Sequence, residues 1–466
     1  MKFLRKYKQS LYNVWVSNYP KKGFSLVYNT LQKNLLCIPS IIEEAILRCN
    51  FFSIPEKDLN TLLSNNILIE EDIDEEKIFK NWISRYSVDT QTLGLTFITT
   101  YLCNCRCIYC YEDGVRKDTQ TENSIFVMSE SKIKEFYSWT ENLIKLWRPR
   151  TLDFCFHGGE PSLFPNFVDR IAKLMGEIAD KNNLNRDFSI VTNCTLMTDN
   201  FIKILKNNKI NRIMTTLDGP ENIHNKRRPF CSGNGTFDQT FKAIKRLVKE
   251  GFRVFLGVNI DKGNINYIPE LIDLLSTSEF ANLPNFSILL ATVKEGPHAS
   301  NPYYFKKNVF SNSGQMNAFL KLYRYALNKN IRIADPIGGG LCSFRRMSSY
   351  IIDVEGNLYK CITMAGNKEA FLGNISEHIN LIMRRSAQFI YMESWQRKKK
   401  CRVCRYLPLC FGGCPQQVLL KKGTYNNILC VKSYFDRYLP EAIKIKYDSN
   451  ILFPKNFNSS VDTICS

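Results

Sequence analysis

No run of eighteen apolar residues occurs in this sequence of 466 residues, so no helix is expected to span a bilayer. The basic N-terminus, MKFLRKYKQS, is followed by no apolar stretch of the kind a secretory signal needs. Internal repeats and low-complexity linkers are lacking. No segment interleaves basic and aromatic residues as nucleic-acid-binding modules do, which argues against nucleic acid as a partner. What is present is a soluble globular composition, 44% hydrophobic and 23% charged, at a length that suggests about two to four domains. Seventeen cysteines without an export signal point to a reducing cytoplasm and to metal binding, not disulfides. The net charge of +19 is spread along the chain, with 397–400 the only tight basic run. Solvated faces are the plain reading of that charge, and an acidic peptide or redox partner is the other.

Between residues 93 and 329 apolar runs of strand length alternate with helical patterns. The runs cover 93–100, 151–157, 187–193, 212–218, 253–261 and 285–293, and are near-continuously apolar, as strands buried on both faces of a parallel sheet are. Amphipathic segments cover 131–146, 167–179, 199–207, 237–249, 267–276 and 316–329. Six such repeats predict an α/β fold over 93–334, a parallel sheet curling into a partial (β/α)6 TIM-like barrel with its chemistry at the C-terminal strand ends. Residues 1–92 read as a small α+β domain: strands near 12–17, 24–28 and 34–38, then helices at 41–48, 56–64 and 75–86. That is the order of winged-helix-like peptide-binding domains; an extension packed on the barrel is the alternative. Residues 335–440 are irregular and cysteine-rich, with short strands at 349–353 and 358–361. They have too few apolar residues for a core of their own, so metal clusters are expected to hold them together. A tail, 441–466, follows.

The loop after the first barrel strand carries Cys103, Cys107 and Cys110, spaced C-x3-C-x2-C, with Tyr109 before the last. Three thiolates can hold three irons of a 4Fe–4S cube and leave the fourth open. The second strand ends in Phe156-His-Gly-Gly-Glu-Pro161, where Gly158 and Gly159 allow close backbone approach and Glu160 can bind an ammonium. The third ends at Thr192, Asn193 and Cys194, and the fourth at Thr215, Thr216, Leu217 and Asp218, with Gly219, Pro220, His224 and Arg228 after it. Taken singly, each piece has a bland reading: Gly-Gly-Glu-Pro and Asp218-Gly219-Pro220 as turns, His157 and His224 as satisfied core histidines. Cys105 alternates with the candidate ligands, which leaves a cluster shifted onto it open. Cys37, Cys49, Cys155, Cys194, Cys231 and Cys465 have no spacing partner and read as buried small hydrophobes.

Together, the cysteine spacing and five strand ends over residues 93–293 resemble the radical S-adenosylmethionine (SAM) family. The resemblance implies that Cys103, Cys107 and Cys110 hold a SAM-binding 4Fe–4S cluster. It assigns Gly158 to Pro161 to the SAM amino group, Thr216 to the ribose and Arg228 to the carboxylate, with Tyr109 and Asn193 in matching motif positions. Cys194 departs from the family's usual glycine. Reductive cleavage of SAM to a 5′-deoxyadenosyl radical, followed by hydrogen abstraction from a substrate, is the implied chemistry.

A second cysteine set begins at Cys342, reaches Gly356 after thirteen residues and Cys361 after four more. It continues with Cys401-x2-Cys404-x5-Cys410-x3-Cys414 and ends at Cys430. Cys401 to Cys414 alone would equally suit tetrahedral zinc. The full pattern resembles the SPASM domain, whose two auxiliary 4Fe–4S clusters bring the implied total to three. The family's interleaved pairing gives Cys342, Cys361 and Cys414 to an inner cluster and Cys401, Cys404, Cys410 and Cys430 to an outer one. That makes seven ligands where two cubes need eight, so the inner cluster has an open iron or an unrecognised cap. Gly356 needs a positive φ for the hairpin that precedes Cys361.

SPASM relatives mostly modify peptides and proteins. Sulfatase-maturing ones carry an aspartate directly after the second inner cysteine, where this chain has Ile362. The resemblance therefore favours maturation of a ribosomally made precursor peptide by an oxidative thioether or carbon–carbon crosslink. A sulfatase-maturase-like oxidation of a protein side chain, or a small-molecule substrate, is the alternative. The implied partners are the precursor peptide, whose acidic leader a basic surface would suit, and a flavodoxin- or ferredoxin-type electron donor.

Overall fold

A computed structural model describes residues 6–118, 126–310, 316–338, 342–391 and 394–453. Cys465, the tail beyond 453 and the first five residues of the basic N-terminus lie outside the described residues.

The N-terminal unit holds strands β1 (Tyr7–Gln9), β2 (Asn13–Ser17), β3 (Phe24–Asn29), β4 (Leu35–Pro39) and β5 (Leu68–Glu70). β2, β3 and β4 form an antiparallel sheet in that order, and β1 pairs with β5, a small second sheet that the sequence pattern had not suggested. Helices Ser40–Leu47, Glu56–Ser64 and Glu75–Ser87 follow β4. The last starts where the Asp74 carboxylate accepts from Lys77 N at 3.0 Å, an N-cap backed by acidic residues in the first turn. Val27, Ile38, Ile42, Ile46, Leu62 and Ile67 make a core inside this unit.

Its seat is not the barrel expected for an extension. Tyr12, Leu31, Phe79 and Ile83 share a core with Trp395, Leu407 and Phe411. Val14, Val16, Leu26 and Tyr28 share another with Tyr406, Leu439 and Ile443. The unit therefore rests on the C-terminal cysteine region, because its outward aromatics find their apolar partners there.

The central sheet runs through β6 (Thr92–Thr100), β7 (Thr151–Gly158), β8 (Asn185–Val191), β9 (Ile210–Thr216), β10 (Arg253–Ile260) and β11 (Phe286–Thr292), all parallel and in sequential order. Helices Glu130–Trp147, Pro165–Lys181, Asp199–Asn207, Phe237–Lys249 and Ile268–Ser276 connect them. The expectation that every strand is buried on both faces is corrected by β7. Leu152, Phe154 and Phe156 are fully buried in the main core, while Asp153, Cys155 and His157 on the opposite face are half-buried. Arg212 ties that second face together low on the sheet, donating to Asp153 at 2.9 Å and forming an ion pair with Asp187 at 3.0 Å. A surface that carries charges and a histidine has room for something other than core.

Two further corrections concern the C-terminal region. β12 (Ser349–Ile352) adds to β6 in parallel, and β13 (Asn357–Tyr359) and β14 (Phe371–Asn374) follow antiparallel, giving a nine-stranded sheet. Tyr350, Ile352, Leu358, Leu372 and Ile382 belong to the main core, so this segment borrows a core and does not depend on metal alone. Gly356 makes the β12–β13 turn at φ +80°. The boundary expected at 440/441 falls inside one helix, Lys432–Leu452, with Pro440 within it. Tyr438 of that helix donates to Pro336 O at 2.5 Å.

Candidate active site

The chain leaves β6 at Thr100 and enters the three-cysteine loop, which two neighbours hold. On one side Gly159 N donates to Thr100 O and Glu160 N to Leu102 O, both at 2.8 Å. A Cβ at Gly159 would lie 2.0 Å from Leu102 O, and one at Gly158 (φ +113°) 2.4 Å from Thr100 O. Only glycine lets β7 end flush against the cysteine loop. On the other side Arg106 N donates to Pro229 O at 2.8 Å, Ile108 N to Arg227 O at 3.0 Å, and Cys231 N to Asn104 O at 2.8 Å. The loop is thus stitched to the segment that carries Arg228.

Glu160 is fully buried and holds four hydrogen bonds. Oε1 accepts from Ser162 N (3.0 Å), Ser162 Oγ (2.6 Å) and Thr192 Oγ1 (2.7 Å), and Oε2 accepts from Asn193 N (2.6 Å). A carboxylate offers about four acceptor sites over two oxygens, so Oε2 keeps capacity for one more donor. Burial pushes this carboxyl up, against the pull of those bonds. Asn193 works on the cysteine loop: Nδ2 donates to Asn104 Oδ1 at 2.8 Å and Cys105 Sγ at 3.2 Å, with Cys103 Sγ at 3.9 Å. Cys105 is fully buried against Asn193 and beside Cys103, whose Sγ accepts from Cys105 N at 3.4 Å, while Cys103, Cys107 and Cys110 are half-buried. Cys194 adopts φ +60°, which is the physical reason a glycine suits this position.

Tyr109 and Arg228 meet. The Tyr109 hydroxyl donates to the Asp218 carboxylate and accepts from Arg228 Nη1 at 2.9 Å and Asn259 Nδ2 at 3.2 Å. One guanidinium N–H of Arg228 is engaged there, of five. Thr216 ends β9 opposite Gly257 of β10, which has no side chain to cover it. His224 is a satisfied core histidine, accepting from Asp218 N at 3.2 Å and lying 3.0 Å from Thr236 Oγ1.

Several residues here escape sequence reasoning. Buried Arg227 makes a fork onto Asp261 (3.1 and 3.0 Å), meets Tyr304 OH at 3.1 Å and lies 5.0 Å above the Tyr109 ring. The Arg-Arg pair at 227–228, with an aspartate at the end of β10, was the available signal. Buried Arg116 donates to Cys105 O at 3.3 Å and pairs with Asp113, placing a cation whose field reaches Cys103, Cys107 and Cys110. Burial lifts the Glu112 carboxyl to about 8 and lowers His157 to about 4, and the two lie 4.0 Å apart at the lip of β7.

The second cysteine set divides into two groups. Burial raises the thiols of Cys342 and Cys361, and Cys414 adds to both and Cys342 to Cys361; in the other group burial raises Cys401 and Cys410, with Cys430 and Cys404 adding to the first and Cys404 to the second. Cys414 and Cys430 are exposed. Beside the first group the Tyr425 hydroxyl is buried without a hydrogen-bond partner, within the field of Cys361 and Cys414. Among the described residues no three His, Cys, Asp or Glu side chains converge on one ion-sized point. Of the unpaired cysteines, Cys194 is buried as expected, whereas Cys37, Cys49 and Cys231 are exposed and Cys155 is half-buried, contrary to their reading as core hydrophobes.

Comparison with known proteins bears on this arrangement. Residues 97–275 match the Radical SAM superfamily, from within β6 to the helix after β10. A cysteine-type anaerobic sulfatase-maturating enzyme from Clostridium novyi is 24% identical over 370 residues, 72% of this chain and 92% of that protein. The solved structure of native anSMEcpe with bound AdoMet and Cp18Cys peptide covers 78% of this chain and 99% of its own, at TM-score 0.59 and 21% identity. Streptococcus suis SuiB bound to precursor peptide SuiA covers 91% and 98%, at TM-score 0.52 and 14% identity. At such identities the two structures establish a common fold. No helix among the described residues is long and apolar enough to cross a membrane. The cysteine loop, the glycine contacts and the strand ends fall inside the matched segment: residues 97–275 are a radical SAM domain, and the chain is a radical SAM enzyme.

Proposed function

We propose that this enzyme is a SPASM-type peptide maturase that uses SAM to install an oxidative crosslink in a ribosomally made precursor peptide. The observation that carries the SAM site is Glu160. Its Oε1 is filled by three protein donors, and its Oε2 keeps one acceptor position at the foot of a three-cysteine loop. An ammonium there would meet a buried anion whose charge burial alone disfavours, so ligand and carboxylate stabilise each other. Cys103, Cys107 and Cys110 would hold three corners of a four-iron cluster, with Gly158 and Gly159 giving the loop its clearance. Arg228, with donors left over from Tyr109, suits the SAM carboxylate, and Thr216 the ribose. Asn193 orients the loop from behind. Together a bound four-iron cluster and SAM supply one-electron, hydrogen-abstracting chemistry. The chain's part is to aim the substrate and exclude water. We read β6–β11 as a partial barrel whose half-buried face, with His157 and Cys155, receives the substrate.

In the C-terminal region Cys342, Cys361 and Cys414 would hold the inner auxiliary cluster, and Cys401, Cys404, Cys410 and Cys430 the outer. The influence of Cys414 on Cys342 and Cys361, and of Cys430 and Cys404 on Cys401, is in keeping with that interleaved grouping. The unsatisfied Tyr425 hydroxyl is available to cap the inner site. Exposed Cys430 would face a flavodoxin- or ferredoxin-type carrier.

The peptide substrate rests on the N-terminal unit. Among the described residues β4 pairs only with β3, so its other edge can accept a leader as an added strand. SuiB, bound to its precursor peptide, covers 91% of this chain, against 78% for anSMEcpe. Ile362, buried after Cys361, offers no carboxylate base. The sulfatase-maturase-like alternative draws its support from relatives such as the Clostridium novyi enzyme. The test is anaerobic reconstitution and a dithionite-driven assay with two substrates, a short precursor peptide encoded beside the gene and a sulfatase peptide. About twelve irons (three four-iron clusters), 5′-deoxyadenosine, and a precursor lighter by two hydrogens per crosslink support the proposal. Formylglycine in the sulfatase peptide with the precursor untouched would select the alternative.

A further inference from the structure

Among the described residues three basic side chains of the C-terminal region, Arg345, Arg346 and Lys360, are buried, and the hydrogen bonds of Arg345 join the two cysteine groups. Arg345 is 7% exposed and sits in the short 3-10 turn Ser343–Arg345 directly after Cys342, where its own N–H donates to Cys342 O at 2.9 Å. Its side chain crosses to the other group. Nη2 donates to Phe411 O at 2.9 Å and to Gly413 O at 3.0 Å, and the guanidinium lies 5.4 Å over the Phe411 ring. Phe411 and Gly413 lie in the turn between Cys410 and Cys414, which Gly413 N closes onto Cys410 O at 2.8 Å. Cys410 belongs to one group and Cys414 to the other. Gly412 and Gly413 take φ +83° and +102°, and a Cβ on Gly413 would stand 2.9 Å from Leu429 O, so this turn is tightly fitted beneath the arginine.

We propose that Arg345 is the shared positioning residue of the two auxiliary four-iron sites, one buried cation that fixes the Cys410–Cys414 turn against Cys342 and raises the reduction potential at both. The inference rests on the SPASM reading given above. The physical reason is simple. A reduced cluster carries one more negative charge than an oxidised one, and a fixed cation in a low-dielectric surrounding favours the reduced form. Because one cation reaches both sites, their potentials move together, and an electron arriving at the inner site meets an outer site poised by the same charge.

The test is potentiometric EPR on the reconstituted wild type, R345Q and R345K, with iron counted for each. In R345Q both auxiliary midpoints move negative, while R345K holds them at wild-type values and the midpoint of the Cys103/Cys107/Cys110 cluster is unchanged in both. Should R345Q lose iron, loss from both auxiliary sites with retention in R345K supports the shared role, and loss from one site alone overturns it. The inference is also overturned if neither midpoint moves, if only one does, or if R345K shifts as far as R345Q. A wild type with about four irons (a single cluster) removes the auxiliary sites themselves. Twelve irons with unmoved midpoints removes only the role of Arg345.

Discussion

The two cysteine regions are built on different principles. At the strand ends, Cys103, Cys107 and Cys110 lie in one short loop, and most of what braces it comes from neighbouring strand ends: Gly159 and Glu160 from β7, Asn193 from β8, the segment from Arg227 to Cys231 after β9. In the C-terminal region the thiols are spread from Cys342 to Cys430, two of them exposed. What braces them comes from far along the chain: Arg345 across to Phe411, and Phe79 of the N-terminal unit against Trp395 and Phe411. The first site is a product of sheet register. The second is a product of tertiary packing, and its integrity is tied to a unit more than three hundred residues away.

The sharpest way to break that comparison is to remove one thiol from each region. C107A is expected to abolish SAM cleavage outright, while C404A leaves cleavage in place and loses the modified peptide. The readouts are 5′-deoxyadenosine and product mass in the same reaction. If C404A also ends SAM cleavage, the regions are not separable and the auxiliary sites serve the first cluster directly.

Next in size is F79A. Phe79 is buried against Tyr12, Trp82, Trp395 and Phe411, with ring centroids 5.3 Å from Trp395. Emptying such a site costs about 3–5 kcal/mol, and the loosened residue is the neighbour of Cys410. The expectation is a lower Tm and loss of iron from the outer auxiliary site, with the strand-end cluster and its SAM cleavage retained. Iron content and EPR of the variant decide; full retention of the outer iron would mean that the N-terminal unit only rests on the cysteine region.

The same contrast explains what the sequence made legible. The parallel strands and the strand-end motifs were readable because each depends on local pattern: apolar runs of strand length, two glycines where a Cβ would strike Leu102 O and Thr100 O, a carboxylate at a strand end. Alternation in β7 was there to be read, with Asp153, Cys155 and His157 interrupting the apolar residues, and it marks the face left free of core. Arg345 was not readable, since its partners Phe411 and Gly413 are 66 and 68 residues on. Nor was the seat of the N-terminal unit, or the fusion of β12–β14 with the main sheet, because periodicity says which face of an element is apolar and not what covers it.

Smaller in effect is E160Q, which probes the strand-end region without touching a thiol. The amide would place a donor toward Ser162 and Thr192, or toward Asn193 N, and remove the charge offered to an ammonium. Hydrogen bonds to charged groups contribute about 1.5–3 kcal/mol, so the SAM Kd should rise roughly 10- to 150-fold with iron content unchanged. Equilibrium binding of SAM to the reconstituted variant measures it. An unaltered Kd would move the ammonium site elsewhere and leave Glu160 as a brace between β7 and β8.

The smallest expected effect tests how far the strand-end region tolerates departures. Cys194 stands where the family resemblance implies a glycine, 1% exposed and at φ +60°. A non-glycine residue in that conformation costs about 1–2 kcal/mol. Replacing it by glycine forfeits roughly 0.8 kcal/mol of apolar burial and about 0.5–1 kcal/mol of backbone entropy. These oppose one another and nearly cancel, so C194G should shift Tm by less than about 2 °C, since 1 kcal/mol is worth only a few degrees in a chain of this size. SAM cleavage should stay at its wild-type rate, because the Cys194 thiol lies in the apolar core beneath the strand ends. A Tm change of many degrees, or loss of cleavage, would mean that the thiol contributes more than its volume, and that even the register-built site depends on a feature peculiar to this chain.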